Sequence, residues 1–209
     1  GMHEAALSQL QQSLLPMVLI DRKIPDFVCD VVGLNNQEAA AMATQHLADN
    51  GWKNLLFVSE PLGLVNTRRE RLRAFQDTAA ALPGVLAENI EVPLTQPTQI
   101  DEALRAFYQR HQGKSCALMV GNGALTLQVA RALQRLKLTW GEEIGLVGFD
   151  DLEWAELAGS GITTLKQPTW QIGYAALEQV IRRIDGDLTP PEEKMFSGEL
   201  IVRGSSRRA

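Results

Sequence analysis

The chain has 209 residues, 45% of them hydrophobic, which suits one large domain or two small ones with a proper core. Its net charge is −5, and its arginines fall in short groups (Arg68, Arg69, Arg71 and Arg73; Arg182 and Arg183; Arg207 and Arg208) that read as solvated faces, so this stretch is not expected to hold nucleic acid by itself. No run approaches the roughly 20 apolar residues of a membrane span, and no segment is low-complexity.

The opening Gly1-Met2-His3-Glu4 lacks the basic and apolar regions of a signal peptide. Gly1 ahead of Met2 reads as a residue added for expression. Cys29 and Cys116 have no metal-type spacing and lie in or beside apolar runs, so buried free thiols in a reducing, cytoplasmic compartment are expected.

A first helix is expected over about Glu4–Leu14. Four apolar runs of strand length follow along the chain: Met17–Ile20, Leu55–Val58, Cys116–Val120 and Ile144–Phe149. They are nearly unbroken, as parallel strands buried on both faces should be. Between them lie segments of helical periodicity. Gln37–Asn50 starts after Asn35 and Asn36 and stops at Gly51. Thr67-Arg68-Arg69-Glu70 has the pattern of a capping box opening a helix with Leu72, Phe75, Ala79 and Leu82 inward. Thr98 is placed to cap the next helix. Ala124–Leu138 follows, and a last helix runs from Thr169 to about Asp185, before Gly186. Strands separated by helices imply right-handed βαβ units and doubly wound parallel sheets. Phe196–Arg203 has the character of a late edge strand.

In open α/β sheets, ligands bind beyond the carboxyl ends of the strands. Here those ends are polar: Asp21 after the first run, Ser59-Glu60-Pro61 after the second, Asn122 after the third, Asp150 and Asp151 after the fourth. Carboxylates and amides that each reach two neighbouring hydroxyls suit a sugar or polyol. Arg71, on the helix after the second run, would add a fixed fork of donors. Turns are polar in any case, so a single such residue says little, but four on one rim say more. The adjacent Asp150 and Asp151 should point opposite ways, one to the rim and one to local backbone.

Enzyme signatures are absent: no nucleophile elbow, no phosphate-binding loop, no dinucleotide fingerprint. His3, His46 and His111 are far apart, with no metal spacing. No catalytic residue, metal or cofactor is expected.

The motifs VLIDRKIPDFVCDVVGLNNQEAAAMATQHLADNGWKNLLFVSEP, NTRRERLRAF, ALMVGNGALTLQVARALQRLKLTWGEEIGLVGFDD and GITTLKQPTWQIGYAALEQVIRRIDG, in that order and spacing, resemble the effector-binding domain of LacI/GalR-type transcriptional regulators. The resemblance covers nearly the whole chain. It implies a periplasmic-binding-protein-like fold of two subdomains around a cleft, residues 1–35 plus 167–190 and residues 36–166 plus 191–209, joined by three crossings near Leu34–Asn36, Lys166–Pro168 and Leu188–Glu192. It implies effector contacts from Asp21, Arg71, Asn122, Asp150 and Gln167, with Thr67 and Phe149 as weaker candidates. Where the family often has an aromatic platform, this sequence reads Gln96-Pro97-Thr98, and Trp170 or Trp154 is left to supply stacking.

Such regulators begin with a helix-turn-helix and a hinge helix, and with further strands before the one that ends at Asp21. This sequence carries neither, so the implied N-terminal subdomain is incomplete, operator DNA would be reached only through a segment absent here, and pairing into a homodimer is expected to cover exposed edges. The stretch GFDDLEWAELAGSGITTLKQPTWQIG is similar to regulators of gluconate and 2-ketogluconate use, which would fit Arg71 with Arg68 or Lys166 nearby. Two other classes share the pattern: a solute-binding protein for transport, and a small α/β sugar-modifying enzyme with Asp150 or Asp21 as base.

Overall fold

A computed structural model describes residues 4–13 and 15–208. His3 and Leu14, the expected end of the first helix, lie outside the described residues. In chain order the elements are α1 (Glu4–Gln12), β1 (Val18–Ile20), β2 (Asp30–Leu34), α2 (Asn36–Asp49), β3 (Asn54–Ser59), α3 (Asn66–Ala80), β4 (Leu86–Glu91) and α4 (Pro97–Arg110). There follow β5 (Cys116–Val120), α5 (Gly123–Arg135), β6 (Gly145–Phe149), β7 (Thr163–Lys166), α6 (Thr169–Ile184), β8 (Glu193–Phe196) and β9 (Glu199–Ile201). They form two units, one ending at Leu34 and resuming over Pro168–Phe196, the other spanning Asn35–Gln167 and resuming at Ser197.

The first unit has a three-stranded parallel sheet in the order β1-β2-β8. One face of α6 lies on it through Ile172, Ala175 and Ala176, which pack with Val32 and the half-buried Val18 and Phe196. Two alanines let the helix sit close to the sheet. The other side of α6 carries Tyr174, Leu177, Ile181 and Ile184, all exposed. Their helical spacing makes an outward apolar stripe. At the far end of α6, Arg183 grips the buried Asp30 with two hydrogen bonds, of 2.8 and 2.9 Å.

The second unit has a six-stranded sheet in the order β4-β3-β5-β6-β7-β9, parallel except for β9, which runs antiparallel to β7. Every residue of β3, β5 and β6 is buried, because helices cover both faces. Leu56, Val58, Leu118 and Val120 join Ile100, Leu104 and Phe107 of α4 and Leu125, Val129 and Leu133 of α5 in one core cluster. The alternate side chains point the other way, and Phe57 meets Phe75 of α3 at 5.4 Å between ring centroids. The strand order reverses between β3 and β5: from β3 the chain moves outward to β4, then returns to the other side of β3 for β5.

The last segment is stitched into this unit. Ser205 and Ser206 are fully buried. Trp52 donates its indole N–H to the Ser206 carbonyl at 2.8 Å, and Ser205 Oγ accepts the Thr163 N–H at 2.8 Å.

Several expectations need correction. The third connection does not fall at 188–192: Glu193–Phe196 pairs in register with β2, Val32 opposite Lys194, so the first unit runs on to Phe196 instead of stopping at 190. The strand expected over Phe196–Arg203 is therefore split, and only β9 edges the second sheet. The capping box does not form. Helix α3 starts at Asn66 behind Val65, with Thr67 already inside it. Thr98 is likewise inside α4, which starts at Pro97, a residue with no N–H to leave unsatisfied. Cys116 is buried but Cys29 only half-buried, and neither is in a disulfide.

Candidate functional site

Arg71 lies on the inner side of α3, only 8% exposed. A guanidinium so buried must place its donors. Its Nε donates to Asn36 Oδ1 at 2.8 Å and its Nη1 to the Gly121 carbonyl at 2.7 Å. The group lies over the Phe149 ring, 4.3 Å from the centroid. Asn36 in turn faces Glu70, whose other oxygen accepts from Asn66 at 3.1 Å. Arg71 thus ties together the start of α2, the end of β5 and the end of β6.

Asn122 is the N-cap of α5. Its Oδ1 accepts the Leu125 N–H at 2.9 Å, as a capping side chain should. That contact fixes the amide's orientation and aims Nδ2 at Glu60 Oε2, 2.6 Å away. Glu60 also pairs with Arg68 at 3.2 Å, and Arg68 Nη1 donates to the Pro61 carbonyl at 2.6 Å.

Asp150 follows β6 with φ +70°, a left-handed conformation that Asp tolerates better than most residues. The turn brings its Oδ2 to the Gly123 N–H at 3.1 Å, and its Oδ1 accepts from Gln167 at 2.6 Å. A Cβ on Gly123 would lie 3.3 Å from this carboxylate, so a glycine suits the close approach. Asp151 turns to Thr164 at 2.7 Å and Arg203 at 3.0 Å. Burial opposes its ionisation, yet those hydrogen bonds outweigh it and hold the carboxyl below its ordinary range. The expected division of labour is thus altered: Asp150 bonds backbone as well as Gln167, while Asp151 is engaged by side chains.

Residues 44–206 match the periplasmic binding protein-like domain. The chain belongs to that family. Among curated proteins it is 38% identical to the HTH-type transcriptional regulator PtxS of Pseudomonas putida, over 99% of this chain and 60% of that protein. It is 30% identical to the HTH-type transcriptional regulator KdgR of Bacillus subtilis, over 98% of this chain and 61% of that one. The chain therefore spans about three-fifths of the length of these relatives. Among solved structures, a LacI family transcriptional regulator of Enterococcus faecium with bound ribose shares the fold with a TM-score of 0.80 at 18% identity, over 99% of this chain and 77% of that one.

In this periplasmic binding protein-like domain the second unit gathers Arg71, Asn122, Asp150, Gln167, Thr67 and Phe149 at the carboxyl edge of one sheet. Phe149 is fully buried, so it supports Arg71 and offers no surface of its own. Asp21 and Trp170 belong to the first unit. Asp21 has φ +67° and donates its N–H to the Val32 carbonyl at 3.0 Å. Trp170 is 77% exposed and stacks on Tyr174, with centroids 5.5 Å apart. Trp154 packs against the second unit's core. Two residues of the edge were missed in the sequence, Asn36 and Glu70, while Glu60 was read there as one of the polar groups of the rim. Glu60 had a signal, since it directly follows a strand. Arg68, expected on a solvated face, is engaged by Glu60. Among the described residues no group of three or more His, Cys, Asp or Glu is placed to hold a metal ion, and no helix is long and apolar enough to cross a membrane.

Proposed function

We propose that this chain is the effector-binding part of a LacI-type transcriptional regulator, and that the carboxyl edge of the second unit's sheet binds a polyhydroxylated small molecule, a sugar or sugar acid. One observation carries the reading: Arg71, Asn122, Asp150 and Gln167, from three strand ends and a helix, converge there in fixed hydrogen-bonded orientations. Fixed donors and acceptors favour a ligand because little is left to order on binding. These four are the principal contacts, with Thr67 beside them and Phe149 behind Arg71.

The regulatory role is supported by the curated relatives, both of them transcriptional regulators. A sugar ligand is supported by the Enterococcus neighbour, which carries ribose. The finer reading is a sugar acid of the gluconate or 2-ketogluconate type, resting on the resemblance of the stretch from Gly148 to Gly173. Effector binding would then bias an equilibrium between two arrangements of the protein and so its affinity for operator DNA. A homodimer in the cytoplasm is part of the same reading, and the outward apolar stripe of α6 supports self-association.

The test is a thermal-shift and calorimetric screen with gluconate, 2-ketogluconate, ribose and glucose. A ligand at 100 times its Kd adds about 2.7 kcal/mol to stability. Stabilisation by one sugar class, lost in Arg71→Ala under conditions where that variant is folded, is expected. No stabilisation by any of them, or turnover of the one that binds, would sink the reading.

A further inference from the structure

Glu60 and Asn122 leave two neighbouring strands, β3 and β5, at the point where the strand order reverses. Such a switch point opens a crevice at the carboxyl edge, and crevices of this kind are where α/β sheets take ligands. Here the crevice is spanned by the 2.6 Å hydrogen bond from Asn122 to Glu60. Neither of the roles already given to this edge uses Glu60.

Its surroundings define its effect. The acceptor of Asn122 is engaged by the Leu125 N–H, and the amide nitrogen is turned to Glu60. Arg68, the most accessible guanidinium here, is held by Glu60 at 3.2 Å and by the Pro61 carbonyl. The side chains of Glu60 and Arg68 are 19% and 21% exposed, so both still present surface. The charges of the network comprise the carboxylates of Glu60, Glu70 and Asp150 and the guanidiniums of Arg68 and Arg71. The balance is negative, and Glu60 tips it. A hydroxyl donates readily to a carboxylate. A ligand carboxylate placed there meets like charge and an arginine already engaged.

We propose that Glu60 is a specificity-determining residue: it reserves the crevice between β3 and β5 for the hydroxyl-bearing part of a ligand and turns a ligand's carboxylate away from it. The proposal rests on the reading that this edge binds a polyol or sugar acid. It adds a direction to that reading, since any acid group must then sit elsewhere on the ligand's path.

The test compares gluconate with glucitol, which differ only in a carboxylate against a hydroxymethyl group, by calorimetry on the whole chain. In Glu60→Gln, affinity for gluconate relative to glucitol should rise about tenfold, or about 1.4 kcal/mol. Glu60→Asp should keep the wild-type ratio within about threefold. Adding Arg68→Gln to Glu60→Gln should remove most of the gain. An unchanged ratio in Glu60→Gln, or equal changes for both ligands, would show a scaffold role only and overturn the proposal. Wild-type chain that binds neither ligand nor any sugar of the wider screen would instead remove the reading beneath it.

Discussion

The Arg71 guanidinium lies over the Phe149 ring, 4.3 Å from the centroid of a ring that has no exposure of its own. Arg71, proposed above as a ligand contact, is thus also a structural brace. Arg71→Lys keeps the charge but loses the planar fork that reaches Asn36 and Gly121 together. Leaving those buried acceptors short should cost about 1–3 kcal/mol. Urea unfolding should show that loss, and calorimetry a larger proportional loss of ligand affinity. A Lys variant of wild-type stability would contradict the bracing role.

Asn122 separates two effects by pH. Asn122→Ala removes the cap of α5 and should cost about 1 kcal/mol at every pH. Asn122→Asp keeps a capping oxygen, which the helix N-terminus favours. It also sets a second carboxylate against Glu60, where the native amide donates at 2.6 Å. The Asp variant should be destabilised at neutral pH and regain stability as the medium is acidified into the carboxylate range. Unfolding midpoints between pH 4 and 8, about the span of the two effects, would decide it. An Asp variant as stable as wild type at pH 7 would mean the Glu60 contact carries no weight.

Two groups give stability in different pH windows. His46 is held below its ordinary value of 6.5, chiefly by burial, and its Nε2 shares a 2.7 Å hydrogen bond with Ser206. The unfolded chain therefore takes up a proton more readily than the fold, and stability falls as pH drops below 6.5. Asp30 is held below its ordinary 3.8, first by the hydrogen bonds from Arg183. Its contribution is complete above that value and is lost as pH falls beneath it. His46→Gln should flatten the upper window alone. Asp30→Asn should flatten the lower one and also destabilise at neutral pH, because Arg183 loses the ion pair and charge-assisted hydrogen bonding it makes with Asp30. Unfolding free energies measured against pH for the two variants would show whether the windows separate.

The thiols should differ in accessibility. Burial pushes Cys116 up to about 11, and Cys29, half-buried, is raised as well. Neither is an activated nucleophile at neutral pH. A thiol-specific chromophore should label Cys29 slowly in the native protein, and Cys116 only on the timescale of unfolding. Rapid labelling of both would refute the buried placement.

The central strands were legible because continuous burial leaves continuous apolar runs: Leu55–Val58, Cys116–Val120 and Ile144–Phe149 all lie in the second sheet. Asn122 was legible because a helix cap and a strand end coincide at one residue. Strand β4 was hidden because it is an edge, with mostly exposed or half-exposed side chains and no apolar run. The third connection was misplaced because Glu193–Phe196 has no continuous apolar run, and only pairing with β2, some 160 residues away in sequence, makes it a strand. Asn36 was missed as a site residue, and the partner of Glu60 was not foreseen, for the same reason. Their roles are set by Arg71 and Asn122, 35 and 62 residues away, and no local pattern encodes such partners.

The burial of Ser205 and Ser206 against Trp52, Leu146 and Thr163 has a consequence for synthesis. Strand β9 and the segment after it are made after every other strand of the sheet that they close. The second unit cannot complete this edge until residues 199–206 have left the exit tunnel. Through that interval the Thr163 N–H and the Trp52 indole lack the partners that Ser205 and Ser206 supply.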